Sequence, residues 1–206
     1  NLGRISDATA IIVGLPCDVG AGFERGSFKG PLGIRTALLD AGMYEHFDAL
    51  GIVDIGDVRV NPQLLDDSYY TPDLLDEVRR ERTLPADAPV APLSILRSAL
   101  DDIAVLNPGA RVLVLGGDHS LSRVPVESLV GRGNDMHDLG ILHFDAHTDL
   151  LGRRDGVPHN FATWAYHANE AIGRGGRLVV RARSWGPGRR ARRAGGQSRA
   201  HLAFFL

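Results

Sequence analysis

The stretch of sequence that decides the fold covers residues 139–149 and reads LGILHFDAHTD. Its apolar first half, residues 139–144, predicts a buried strand. Alternate side chains of a strand share one face, so Asp145, His147 and Asp149 point the same way if the extended backbone continues. Two carboxylates and an imidazole at the end of a strand outline a divalent-metal site.

A second polar fragment follows another apolar run, residues 111–115 (RVLVL). Gly116 and Gly117 permit a tight turn off that strand and expose Asp118 and His119. Alone, each fragment is typical of a hydrogen-bonded pair or a capped turn, but together they favour a metal site. Oxygen and nitrogen ligands without sulfur suit Mn²⁺ better than a structural zinc ion, and paired ions can activate water.

Strand and helix patterns alternate along the chain. This order predicts an α/β fold with a mostly parallel sheet covered on both faces, and both polar fragments at its ligand-binding carboxyl edge. A cap by Ser120 or Ser122 is expected for the helix that follows them. The predicted strands are 10–14, 52–56, 111–115, 139–145 and 178–180, and the predicted helices are 32–42, 73–82, 93–106, 123–130 and 161–172.

Bulk composition narrows the class of protein. The 206 residues are 44% hydrophobic, enough for one globular domain with a core. The sequence contains no apolar run of membrane-spanning length and no charged-then-apolar leader, so we expect a cytoplasmic protein without a membrane partner. The single cysteine, Cys17, excludes an internal disulfide and a cysteine-based zinc cluster. No histidine pattern around it indicates an activated nucleophile.

Three segments carry a family resemblance. Residues 115–120 (LGGDHS) and 143–149 (HFDAHTD) resemble the first two signatures of the ureohydrolases, which include arginase, agmatinase and formimidoylglutamase. Residues 14–20 (GLPCDVG) are similar to the opening of that family. The resemblance covers roughly residues 10–180. It implies a three-layer α/β/α domain with a binuclear manganese centre that hydrolyses linear amidines, with guanidino or formimino substrates releasing urea or formamide.

The resemblance also implies the metal ligands. His119 and Asp149 would bind one ion, His147 would bind the other, and Asp145 would bridge the two. Asp118 would orient a ligand without touching the ions itself.

Other polar residues have weaker assignments. His159 lies in the loop where the family often has a histidine that assists substrate binding or proton transfer, and a plain solvent-exposed histidine is the alternative. Asn160 is a weaker candidate still. His143 and His167 are interpreted as structural.

The C-terminal segment departs from the family pattern. The family's third signature, a late Asp-x-Asp, is missing, and no acid follows Glu170. Residues 171–206 hold nine arginines, whereas residues 1–170 hold 14 basic and 25 acidic residues. We therefore expect an incomplete ureohydrolase-like domain over 1–180, lacking C-terminal strands, and an Arg/Gly-rich tail over 181–206 that is not native family sequence; a shifted reading frame or a gene-model error would produce such a tail. The second ion should then bind poorly, and activity of the chain stays open.

Three alternatives accompany this interpretation. One is a zinc deacetylase-like hydrolase of the same fold, although its usual histidine pair matches less well. Another is a truncated, non-catalytic relative. The third is a nucleic-acid binder that uses the basic tail, which lacks aromatic interleaving and is less favoured. The particular amidine and the oligomeric state, a homo-oligomer included, are left open.

Overall fold

The computed structural model describes residues 2–133, 139–173 and 177–182. Strands alternate with helices in the predicted order, and most boundaries fall within two residues of those expected. The strands are β1 (Ala10–Leu15), β2 (Ile52–Asp57), β3 (Arg111–Gly116), β4 (Gly140–Asp145) and β5 (Arg177–Ala182). The helices are α1 (Leu2–Ser6), α2 (Gly30–Asp40), α3 (Phe47–Leu50), α4 (Pro72–Glu81), α5 (Pro92–Leu106), α6 (Arg123–Gly131) and α7 (Trp164–Ile172).

Every strand pair in the described residues is parallel. β1 lies between β2 and β3, and β4 pairs with β5. The predicted parallel sheet is therefore confirmed, but the described strands form a three-stranded and a two-stranded sheet. Parallel pairing places the ends of β3 and β4, where both polar fragments begin, at the carboxyl edges of their sheets.

The three layers follow from the alternation of side chains along β1, which is buried on both faces. Ile11, Val13 and Leu15 belong to the core cluster that contains α5. Ile12 belongs to a separate cluster with Phe47 and packs against side chains of α2. Helices therefore cover both faces of this sheet, which confirms the predicted α/β/α architecture.

In α5, the residues of the apolar pattern are the ones that are buried in the core. Leu93, Leu96, Leu100 and Ile103 recur at helical spacing and are each at most 3% exposed. Burial of one such side chain contributes roughly 1.5–3 kcal/mol. The helix begins with Pro92 in its first turn, where a proline costs no intrahelical hydrogen bond.

A second core lies under β4. Val126 of α6, Ile141 of β4 and Trp164 and Ala165 of α7 form one buried cluster. The residue that precedes α6 is Ser122, but its side chain makes no capping hydrogen bond. Asp118 instead caps the short 3₁₀ turn His119–Ser122.

No helix in the described ranges is long and apolar enough to span a membrane. Of the predicted tail, residues 183–206 lie outside the described residues.

Candidate metal centre

The polar fragment that follows β3 begins at a close backbone contact. A Cβ atom on Gly117 would lie 1.8 Å from the carbonyl oxygen of Cys17. Only glycine permits this approach, and it lets the backbone N–H of Asp118 donate to that oxygen at 3.1 Å. The loop after β1 thus supports the loop after β3 and sets the starting point of His119.

Asp118 holds the turn that carries His119. Its Oδ1 accepts a hydrogen bond from the backbone N–H of Ser120 at 2.7 Å. The side chain is buried, and Oδ2 has no hydrogen-bond partner among the described residues. Burial raises the pKa of this carboxyl, although the Ser120 contacts oppose the shift. The carboxylate shapes the backbone beside His119. The role of orienting a metal ligand stays a prediction.

The centre of the site is the imidazole of His119. Its Nδ1 lies 3.1 Å from Asp145 Oδ2 and 3.1 Å from Asp149 Oδ2. Two ligand atoms about 2.1 Å from one ion, at a right angle to each other, would lie ~3.0 Å apart. These spacings fit donors that surround a single divalent ion. β3 and β4 supply them from their carboxyl ends, where the alternating pattern placed both fragments.

His143 joins this group, although the sequence favoured a structural role for it. One donor atom from each of His119, His143, Asp145 and Asp149 lies within 4.8 Å of the others. His143 is 4% exposed, and its Nε2 lies 3.4 Å from Asp145 Oδ2. Neither ring nitrogen has a hydrogen-bond partner in the described part of the chain. The available signal was strand alternation, because His143 precedes Asp145 by two residues and shares its face.

His147 lies outside the group of four. The extended backbone ends at Asp145, so the condition under which residues 145, 147 and 149 would share one strand face is not met. The His147 side chain is 83% exposed, and its Nδ1 lies 3.5 Å from Asp145 Oδ1. Asp145 therefore turns Oδ2 toward His119 and Oδ1 toward His147. The assignment of His147 as a ligand stays a prediction.

The charges of the cluster are mutually dependent. Burial opposes protonation of His119, but the hydrogen bond to Asp149 and the two neighbouring carboxylates outweigh it and raise the pKa of the imidazole. Burial opposes ionisation of Asp145, but the N–H of His147 and the charge of His119 hold the pKa of this carboxyl below its ordinary value. The neighbouring carboxylates therefore favour the protonated form of His119, and His119 favours the ionised form of Asp145.

His159 lies apart from the cluster. Its ring stacks on Tyr69 at 5.6 Å between centroids and contacts His167 at 4.4 Å. Burial, followed by the charge of Arg123, lowers the pKa of His159 to about 4. No hydrogen bond or ring contact in the described ranges joins it to His119, so its catalytic role stays a prediction.

The neighbours of His159 have local roles. Asn160 Oδ1 accepts from the backbone N–H of Ala162 at 3.0 Å, and its amide group donates to the carbonyl of Val157 at 3.1 Å. His167 Nε2 lies 2.6 Å from the carbonyl oxygen of Pro158. These contacts shape the loop that leads into α7.

Cys17 is not an activated nucleophile. The thiol is 4% exposed, and burial raises its pKa to about 11. A thiol in this state stays protonated at neutral pH.

A parallel α/β/α fold with two histidines and two aspartates gathered near the carboxyl ends of its strands defines a class of α/β proteins able to hold a divalent metal. The chain belongs to the arginase family, whose family model matches residues 8–196. The match extends past residue 180, where we expected the family sequence to end.

Individual relatives agree with this assignment. The chain is 30% identical over 147 residues to a guanidinobutyrase of Pseudomonas aeruginosa, covering 68% of this chain and 37% of that protein. It is 27% identical over 172 residues to an agmatinase of Bacillus subtilis, covering 81% and 49%. The chain therefore spans less than half the length of these relatives.

Among solved structures, a putative agmatinase from Clostridium difficile is similar with a TM-score of 0.62 at 16% identity, covering 84% of this chain and 54% of that one. At this identity the likeness shows the fold alone.

Proposed function

We propose that the protein hydrolyses C–N bonds in linear amidines, with guanidino or formimino substrates that release urea or formamide, and that it depends on manganese. The observation that carries the proposal is the position of His119 Nδ1, 3.1 Å from the carboxylates of both Asp145 and Asp149. Family membership supplies the reaction class, and the cluster supplies a metal site of suitable chemistry.

The donor set supports a fairly hard ion. The group of four offers two imidazoles and two carboxylates and no sulfur. Such a set favours Mn²⁺, whereas structural zinc sites are typically rich in thiolate ligands. We assign His119, Asp145 and Asp149 to the first ion.

Asp145 also faces the position that we assign to a second, less tightly held ion. Its Oδ1 faces His147 at 3.5 Å while its Oδ2 faces His119 at 3.1 Å. One carboxylate between two imidazoles is suited to bridge two ions. In the described part of the chain, the second position has only these two donors, so its ion should be held less tightly.

Bound divalent ions would polarise the amidine and lower the pKa of a water molecule at the site. The chain's own residues orient the donors: Asp118 fixes the turn of His119, and Asp145 faces both imidazoles. We keep His159 as a residue that assists substrate binding or proton transfer; burial lowers its pKa to about 4, which makes the ring a weak base near pH 7 and favours the binding role.

The test is a parallel assay of the Mn²⁺-loaded chain. Urea release should be measured with arginine, agmatine and 4-guanidinobutyrate, and formamide release with formiminoglutamate. We expect one substrate to be turned over and His119→Ala to abolish that turnover. A properly folded, Mn²⁺-loaded chain that releases neither product from any substrate would contradict the proposal.

A second candidate is a metal-binding relative without catalysis, favoured by the short donor list around His147 among the described residues. Turnover separates the two, because both candidates expect one tightly held ion. One tightly held ion and no turnover would support this candidate, whereas two tightly held ions would contradict it.

A further inference from the structure

The indole of Trp164 lies against the candidate metal centre. Trp164 is the first residue of α7 and is 1% exposed. Its Nε1–H donates a hydrogen bond to Asp149 Oδ2 at 2.9 Å. The same carboxylate oxygen lies 3.1 Å from His119 Nδ1. A buried donor from a distant helix therefore fixes the direction of a candidate ligand.

Asp149 needs such support because its backbone is in an uncommon conformation. Its φ is +51°, in the left-handed region that non-glycine residues seldom adopt. The backbone carbonyl of Asp149 accepts a hydrogen bond from the N–H of Tyr166 at 3.2 Å. The first turn of α7 thus holds both the main chain and the carboxylate of Asp149, and the strained conformation persists because these contacts determine it.

The indole itself is immobilised by packing. Trp164 belongs to the buried cluster with Val126 and Ile141. Its ring meets His143 edge-on with centroids 4.7 Å apart, and it meets His119 in the same manner at 5.6 Å. The donor N–H therefore has little freedom to move away from Asp149.

We propose that Trp164 is a positioning residue for the first metal ion: its N–H aims Asp149 at the point that His119 and Asp145 also face. This inference rests on the metal site of the proposed function. Hydrogen-bonding partners of metal ligands typically change metal affinity 10–100-fold when they are removed. Loss of the indole N–H should weaken binding of the first Mn²⁺ ion by about that factor.

The main test is Trp164→Phe, which removes the N–H and retains an aromatic ring. Mn²⁺ affinity is measured from the electron paramagnetic resonance signal of the free ion during titration. Tyr44→Phe is the matched control, because it removes a hydroxyl that donates to Asp54 at 2.8 Å and contacts none of the candidate ligands. We expect 10–100-fold weaker binding in Trp164→Phe and unchanged binding in Tyr44→Phe.

A second variant separates the N–H from the bulk of the ring. Replacing Trp164 by benzothienylalanine substitutes sulfur for the N–H and keeps the bicyclic shape. The same loss of affinity, with an unchanged melting temperature of the metal-free chain, supports positioning by the hydrogen bond. Affinity equal to wild type in this variant overturns the inference.

The outcome for the wild-type chain keeps the two proposals distinct. If wild type binds no Mn²⁺, the metal site of the proposed function fails and the inference fails with it. If wild type binds Mn²⁺ and both Trp164 variants bind it equally well, only the inference fails.

Discussion

Gly117 offers the sharpest test of how the fold shapes the site. In Gly117→Ala the new Cβ would lie 1.8 Å from the Cys17 carbonyl oxygen, so this backbone would have to move by at least 1.2 Å to reach even a tight 3.0 Å contact. Such overpacking costs about 1–3 kcal/mol. Loss of the hydrogen bond from Asp118 N–H to the same oxygen adds about 1 kcal/mol. The expected destabilisation is roughly 2–4 kcal/mol.

The assay is equilibrium unfolding in urea, with Gly33→Ala as the matched control. Gly33 lies within α2, and a Cβ there meets nothing within 4 Å. The control should stabilise the chain by about 0.5–1 kcal/mol, because alanine is the better helix former. Equal unfolding free energies for Gly117→Ala and wild type would refute the steric argument.

Three further predictions concern buried groups. The side chain of Arg123 is 5% exposed and pairs with Asp66, so Arg123→Met should lower the free energy of unfolding in urea by about 3–5 kcal/mol. The control Arg4→Met removes an exposed pair with Asp48 and should cost under ~1 kcal/mol. A loss in Arg123→Met as small as that in Arg4→Met would contradict the prediction. His159 has a pKa of about 4 in the folded chain against an ordinary value of 6.5, so NMR should find its ring neutral at pH 5.5. Because the unfolded chain takes up this proton at higher pH than the folded chain, the free energy of unfolding should fall as the pH drops from 6.5 toward 4. His159→Gln should lose that part of the pH dependence, and a ring that titrates near 6.5 in the folded chain would contradict the prediction. Cys17 has a pKa of about 11 in the folded chain against an ordinary value of 9.0, so its thiol should resist iodoacetamide at pH 8 in the native chain and react in urea. Its contribution to the free energy of unfolding should fall as the pH rises from 9 toward 11. Rapid alkylation of the native chain would contradict the burial of this thiol.

Local patterns were enough to predict most of the fold. Residues 10–14 were expected as a strand and β1 is Ala10–Leu15, while residues 93–106 were expected as a helix and α5 is Pro92–Leu106. Both elements carry a regular apolar pattern because they pack against the sheet core. The division into two sheets could not be predicted, since pairing between distant strands leaves no local pattern.

The site was predictable where it depends on strand ends. His119 and Asp145 follow buried strands, and parallel topology brings such ends to the carboxyl edges of their sheets. The conformation beyond Asp145 was not predictable, because contacts from α7, fifteen or more residues away, hold Asp149 at a φ of +51°. The exposed position of His147 follows from that turn. His143 was interpreted as structural because a buried histidine within a strand is usually part of the core, and its place beside Asp145 depends on the tertiary fold.

Spectroscopy can test whether His143 contacts the first ion together with His119. It lies within the group of four, and both of its ring nitrogens lack hydrogen-bond partners among the described residues. Electron spin-echo measurements of bound Mn²⁺ count the imidazoles that contact the ion. His119 alone predicts one imidazole, whereas coordination by His143 as well predicts two.

The most direct test of the metal centre is the Mn²⁺ content of the chain after equilibration with the ion and exhaustive dialysis. We expect about one tightly held ion per chain, bound by His119, Asp145 and Asp149, and none in His119→Ala. A folded wild-type chain that retains no Mn²⁺, or a His119→Ala chain that retains as much as wild type, would contradict the assignment of this cluster as the metal site.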